Sequence, residues 1–393
     1  MWLRIRRGDS GMLPIIVGLI ALCIYFESRS STFITVANLN NLVIQAIVFI
    51  LLGMAEIWLL LLGEIDLSLG FVAGLSGAVS VVLVDLQFHW AWYLALPLAV
   101  LMATGIGIIS GAIVIGLRLP SFIVTLAGQL AFQGILIWIV DSQGTGGTIT
   151  LINPVLHDFV YGQASILWTI IIISATVLYL VAQLFLKNNN RRKRELDTTP
   201  NLILIIRAVM LVVAGACAIW LFDSNRGGKF IAIKGMPWAM VILGVMMGLS
   251  TFVLTRTKPG RYIYAIGGNL EAARRAGIRV NRYRLLAFAL AGFTAGIAGL
   301  IYVSNLNGAN DAIPGGTLVL YAVASAVIGG TSLFGGRGKL IHALIGGLVI
   351  ATIYNGMALL STSVYTQYIA TAAVLVAAVT IDNTARRGST IVR

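Results

Sequence analysis

The sequence predicts an all-α protein, a polytopic transmembrane bundle of 10–12 spans with one short helix outside the membrane. Three observations lead there. Of the 393 residues, 59% are hydrophobic and only 10% charged, too few polar groups to clothe a water-soluble domain of that length. Apolar stretches near the roughly 20 residues that a helix needs to cross a bilayer recur from end to end. The mean hydropathy is +0.95. A transmembrane β-barrel would instead show short segments of alternating hydrophobicity.

The elements follow in chain order. The opening "MWLRIRRGDSGMLPIIVGLIALCIYFESRSS" has the basic start and apolar core of a signal peptide. No small-x-small cleavage pattern follows Phe26, so it reads as a retained first span, 12–26. Spans 41–62 and 68–86 come next, joined by "GEIDLSLG" (63–70) with almost no loop. Two more occupy 92–117 and 121–140. A helix pair, 165–186 and 201–222, flanks the basic run "KNNNRRKR" (187–194). Span 237–255 precedes a polar segment, 256–284. Span 285–303 contains "GFTAGIAG" (292–299), small residues at the spacing that lets membrane helices approach closely. Segment 317–334 is short and runs into "GGTSLFGGRGK", so it is either a full crossing or a re-entrant piece buried in protein. Spans 340–360 and 365–381 complete a single transmembrane domain over 1–393, with no soluble domain.

The net charge of +13 raises nucleic acid as a partner. Its distribution argues for membrane topology instead. With the N-terminus inside, 22 of the 27 Lys and Arg residues fall on the cytoplasmic side, as positive-inside loops require. Both termini are then cytoplasmic. Cys23 and Cys217 lie in apolar segments and read as small hydrophobes. His89, His157 and His342 have no ligand spacing, so no metal site is expected. Neither a phosphate loop nor an H-E-x-x-H or G-x-S-x-G stretch is present, so the chain is not expected to be an enzyme or to hold a cofactor.

Segment 256–284 contains "GGNLEAARRAGI". Asn269 is a good N-cap, and Glu271 in the first turn suits the positive end of the helix dipole. Arg274 and Arg275 suit the other end. Gly277 stands where a left-handed C′ residue is wanted, with Ile278 as its hydrophobic contact. This specifies a helix of about two turns, marginal in water without tertiary contacts. It rests on its own bundle, on the anionic lipid surface, or in a groove of a partner protein.

Glu64 and Asp66 place two carboxylates in an apolar region, where charge is costly and usually functional. Asp66 and Ser68 are both capable N-caps, which makes a capped helix break one reading. Lining of a substrate pathway is a second, because broken helices form sites in transporters. A proton relay through Glu56, Glu64 and Asp66 is a third. That relay would define a proton-coupled secondary transporter, but spans 41–62 and 68–86 contain no basic partner.

The stretch "YAIGGNLEAARRAGI" (264–278) resembles the coupling motif of ATP-binding-cassette importer permeases in its ribose/xylose form. "GEIDLSLG" (63–70), "PSFIVTLAGQLAFQGI" (120–135), "AVIGGTSLFGGRGK" (326–339) and "NGM" (355–357) are similar to stretches of the same family, in the same order. The likeness is strongest to xylose-type permeases, in which an extra helix pair with a basic loop corresponds to 165–222. The resemblance implies a multi-pass permease in a bacterial inner membrane, with a second copy of itself and lipid around it. It also implies a separate ATPase with two fused cassettes and an external sugar-binding protein that delivers a small sugar. Gly268, Asn269, Glu271, Ala272, Ala273 and Gly277 would then couple to the ATPase. Glu64, Asp66, Ser68, Phe122 and Thr125 are the pathway or helix-break candidates.

Overall fold

The computed structural model describes residues 13–86, 88–196, 198–226, 233–310, 315–363, 365–373 and 376. The basic N-terminal residues and the far end of the expected last span lie outside them. Helices occupy each expected span. They are α1 (Leu13–Arg29), α2 (Val36–Leu60), α3 (Leu69–Val81, continued by a π turn, Val82–Leu86), α4 (Trp92–Leu117) and α5 (Ser121–Gln143). After the short α6 (Pro154–His157) come α7 (Ile166–Lys193), α8 (Asn201–Asp223) and α9 (Trp238–Arg256). Two helices fall in the polar segment, α10 (Lys258–Gly268) and α11 (Leu270–Arg275), followed by α12 (Val280–Leu306), α13 (Gly315–Ile328) and α14 (Leu340–Leu359). Residues 365–373 are helical as well.

Among the described residues eight helices are long and apolar enough to cross a membrane. The chain is thus a multi-pass helical membrane protein. The helices α3 and α13 are different. They are apolar but only 13 and 14 residues long, about 20 Å at 1.5 Å per residue, against a hydrocarbon core of about 30 Å. Segment 317–334, open between a crossing and a buried re-entrant piece, forms a helix that stops at Ile328 and gives way to a glycine-rich loop. Both short helices are sheathed in protein, so their free ends are not presented to lipid.

The core forms around α2, whose apolar window is almost wholly buried. It packs on α12, α13 and α14, while α12 also packs on α3 and α4. Glycines replace side chains at these crossings. A Cβ on Gly299 of α12 would collide with the carbonyl of Ala73 on α3, and one on Gly292 with the carbonyl of Ala103 on α4. Ser76 of α3 donates to the Gly296 carbonyl at 3.1 Å. With no hydrophobic drive between helices in lipid, this close approach supplies the attraction. The helices α7 and α8 pack chiefly on each other and turn nearly all of their apolar surface outward.

The two ends of the bundle differ. At one lie α10 and α11. At the other, β1 (Thr148–Thr150) pairs antiparallel with β2 (Gly308–Asn310), with Ile149 opposite Ala309. There Arg226 donates to Asn40 at 2.9 Å and to Gln163 at 2.8 Å, and so ties α8 to two other segments.

If the α3–α12 crossing depends on backbone contact, Gly299→Leu should lower stability by about 1–3 kcal/mol or more through overpacking. Thermal unfolding in detergent reads this. Gly105→Leu, where nothing lies within 4 Å of the added Cβ, should leave the melting temperature near wild type.

Candidate functional site

At the α10–α11 end, three segments that are far apart in sequence form one junction: the break 61–68, the loop 329–339, and α10 with α11. Its construction begins with Pro259 in the first turn of α10, where the missing N–H costs nothing. Ile263 and Ile266 are buried along one face of that helix. At Asn269 the backbone turns extended (φ −160°, ψ 104°) and α10 ends. The same residue caps α11, its Oδ1 accepting the Ala272 N–H at 2.9 Å.

Six residues later the helix stops as its residues specify. Gly277 has φ +76°. Its N–H donates to the Arg274 carbonyl at 2.9 Å, and the Ile278 N–H donates to the Ala273 carbonyl at 3.1 Å. Those two bonds are the paired closure of a glycine-terminated helix. Underneath, Ala273, Ile266 and Val280 form a small apolar cluster with Leu62, Ile278 and Tyr283. Leu62 belongs to the break, so the bundle itself holds α11 on one side. The other side is exposed: Glu271, Ala272, Arg274 and Arg275 face outward. Glu271 makes only loose ion pairs with Arg274 (3.7 Å) and Arg275 (4.0 Å), a kind of pair that contributes little in water.

The seat beneath α10 is made of backbone. A Cβ on Gly267 would collide with the Leu61 carbonyl and crowd the Gly336 nitrogen. The Gly336 N–H donates to that same carbonyl at 2.9 Å. Tyr264 reaches across to the Gly338 carbonyl at 2.7 Å, and burial pushes its phenol above the usual range, so it stays a neutral donor. Glu64 forms an ion pair with Arg284 of α12, with side chains only 15% and 21% exposed. Arg284 comes from segment 256–284, not from the spans flanking Glu64, which is why no intraspan partner is legible.

The break satisfies its own backbone with side chains. The Ile65 N–H donates to Ser121 Oγ (3.2 Å), the Asp66 N–H to Glu56 Oε1 (3.3 Å) and the Leu67 N–H to Thr125 Oγ1 (3.0 Å). Asp66 Oδ1 accepts both the Ser68 N–H (2.8 Å) and the Ser68 hydroxyl (2.6 Å). Ser68 holds the N-cap position of α3 but makes no side-chain cap bond of its own. Glu56, Asp66, Ser68 and Thr125 are essentially inaccessible. Phe122 stands apart, half-exposed on the outer face of α5. Glu56 matches none of the family stretches, yet it is wholly buried and supplies a bond to the break. Its apolar surroundings in sequence were the one signal that it does work there.

Two outcomes follow from this geometry. Asn at position 66 keeps the acceptor oxygen, so Asp66→Asn should unfold within about 1 kcal/mol of wild type. Asp66→Leu, which strands the buried donors of Ser68, should cost about 1–3 kcal/mol. A double-mutant cycle with Glu64→Gln and Arg284→Gln should give a coupling of about 0.5–3 kcal/mol. Thermal melts of the purified protein check both, and a coupling near zero would remove the ion pair from the junction.

The chain is similar in sequence to known transport proteins. A family model described as "Branched-chain amino acid transport system / permease component" matches residues 38–379. The xylose transport system permease protein XylH of Escherichia coli K12 is 33% identical over 379 residues, which cover 95% of this chain and 92% of the relative. XylH of Haemophilus influenzae is 31% identical over 381 residues, 95% of this chain and 97% of the relative. The ribose import permease protein RbsC of E. coli K12 is 29% identical over 368 residues, 94% of this chain and 92% of the relative. No solved structure matches. The chain belongs to the transport-system permease family that this model describes, and it is a transport component rather than an enzyme.

Proposed function

We propose that this chain is the membrane-spanning permease of an ATP-driven importer for a monosaccharide, xylose or a related sugar. It forms one permease domain over 1–393, to which α7 and α8 (165–222) are an appended pair with a basic loop. The α10–α11 end faces the cytoplasm, with both termini on that side, and the positive-inside distribution of Lys and Arg supports this. The protein works as a homodimer in the lipid of a bacterial inner membrane. A separate ATPase with two fused cassettes docks below it, and an external binding protein delivers the sugar above.

The observation that carries this reading is α11. It is a six-residue helix, capped at both ends, seated on the bundle through Ala273 and exposed on its far side. Gly268, Asn269, Glu271, Ala272, Ala273 and Gly277 form the docking element. A partner that moves α11 moves α10, the break at Glu64–Ser68 and the loop 329–339 with it, as one rigid body. Glu64, Asp66, Ser68 and Thr125 form the helix break beside the pathway, and Phe122, exposed on α5, is the further pathway candidate. The rival reading, an ion-driven carrier through Glu56, Glu64 and Asp66, leaves this exposed capped helix without a role.

Glu271→Lys reverses charge at the start of α11 and disturbs both dipole and docking. In vesicles holding permease, ATPase and binding protein, it should cut binding-protein-stimulated ATP hydrolysis roughly tenfold, about 1.4 kcal/mol, while the permease stays folded and inserted. Full stimulation after that change would count against the coupling role. Uphill uptake on an ion gradient, with no ATPase in the vesicle, would restore the rival.

A further inference from the structure

At the end of the bundle opposite α10 and α11, a cavity of about 320 Å³ opens between α2, α12, α13, α14 and the helical segment 365–373. That is the lower size range of small-molecule sites. Its polar lining includes Gln45, Asn305 and Gln367 and the tyrosines 302, 321 and 354. Among the described residues, no Asp, Glu, Lys, Arg or His lines it. We propose that this cavity is the permease's own contact site for a neutral monosaccharide on its way into the membrane. The proposal rests on the importer reading above and adds to it a place and a set of residues.

Two features show a built site. The first is aromatic. Phe49 stands edge-on to Tyr321 and to Tyr354, with centroids 5.2 Å and 5.7 Å apart, and Tyr321 and Tyr354 meet edge-on at 6.3 Å. Rings locked against each other in this way present fixed apolar faces to the C–H surface of a sugar, with little rotamer freedom left to lose.

The second is a directed chain of amides. Asn38 Nδ2 donates to the Phe33 carbonyl at 2.9 Å and to Asn355 Oδ1 at 2.8 Å. Asn355 Nδ2 then donates to Gln45 Oε1 at 3.2 Å. Asn38 and Asn355 are 7% and 4% exposed. Each link orients the next, so the chain delivers Gln45 to the cavity with its oxygen occupied and its NH₂ turned to donate. Two buried amides and a half-buried third are costly in a bilayer-spanning core unless satisfied. These bonds occupy both donors of Asn38 and the oxygens of Asn355 and Gln45, and leave the NH₂ of Gln45 to meet a hydroxyl oxygen.

The charge of the lining selects the ligand class. The matching family model is described by branched-chain amino acid transport, and an amino acid would bring an ammonium group into the cavity. Among the described residues the lining has no carboxylate to meet it, and an unpaired charge in such surroundings is strongly disfavoured. A polyhydroxyl ring needs only neutral donors, acceptors and aromatic faces, and these are what the cavity has. Its position also fits, since it lies at the end that faces the binding protein when α11 faces the ATPase.

Saturation-transfer NMR on the full-length permease in lipid nanodiscs, with D-xylose as the probe and no ATPase or binding protein present, tests this. Irradiating aromatic protons should transfer saturation to the sugar C–H protons. Tyr354→Ala and Gln45→Leu should each weaken the signal several-fold, and Tyr354→Phe, which keeps the ring, should retain most of it. Absence of transfer in the wild type, or transfer in Tyr354→Ala and Gln45→Leu equal to that of the wild type, would overturn the proposal. So would leucine giving an equal signal that Tyr354→Ala abolishes. Because no transport is measured, a vesicle assay showing no ATP-driven uptake would strike the importer reading and leave a Tyr354-dependent xylose signal standing.

Discussion

A helix broken inside an apolar bundle leaves backbone amides with no water to accept them, and the rest of this structure depends on how that demand is met. Between Leu61 and Ser68 the N–H groups of Ile65, Asp66 and Leu67 go to Ser121, Glu56 and Thr125, and that of Ser68 to Asp66. In hydrocarbon, non-helical backbone is tolerated only where protein satisfies it. The polar residues of the break are therefore first of all the condition for having a break. Once it exists, α3 can be short, α2 can sit at the centre, and the freed Leu61 carbonyl can bind Gly336 beneath α10. The demand for internal hydrogen bonds thus brings the helix break and the exposed helix α11 into contact.

Much of this was legible in the residues. Runs of apolar sequence mark every membrane-length helix among the described residues, because bilayer thickness sets a length that composition alone reveals. The ends of α11 could be read to the residue: Asn269 and Gly277 act through local geometry, which needs no tertiary information. The extent of α13 was not legible, since a 14-residue apolar helix sheathed in protein and an apolar run in lipid look alike in hydropathy. The partners of Glu64 and of Glu56 were hidden for a related reason. Arg284 lies 220 positions from Glu64, and nothing local to either residue records the pairing.

The aromatic and amide cavity illustrates the same divide. Tyrosines 302, 321 and 354 and Gln45 sit in four different helices, each unremarkable within its own span. Only the convergence of α2, α12, α13 and α14 makes a site of them. The glycine-rich, charged junction lies at one end of the molecule and the neutral aromatic cavity towards the other, and α2, α12 and α14 run between them.

The seat under α10 consists of main chain against main chain: the Gly267 backbone on the carbonyl of Leu61, and that carbonyl on Gly336. Side chains can absorb a displacement by changing rotamer, but peptide planes in contact have no such slack. In the proposed coupling, a push on α11 would pass first through its small apolar cluster and then through main chain that has few rotamers to absorb it. The inner helices would then tilt like a lever about its pivot, with the stiff main-chain seat under α10 as the fulcrum.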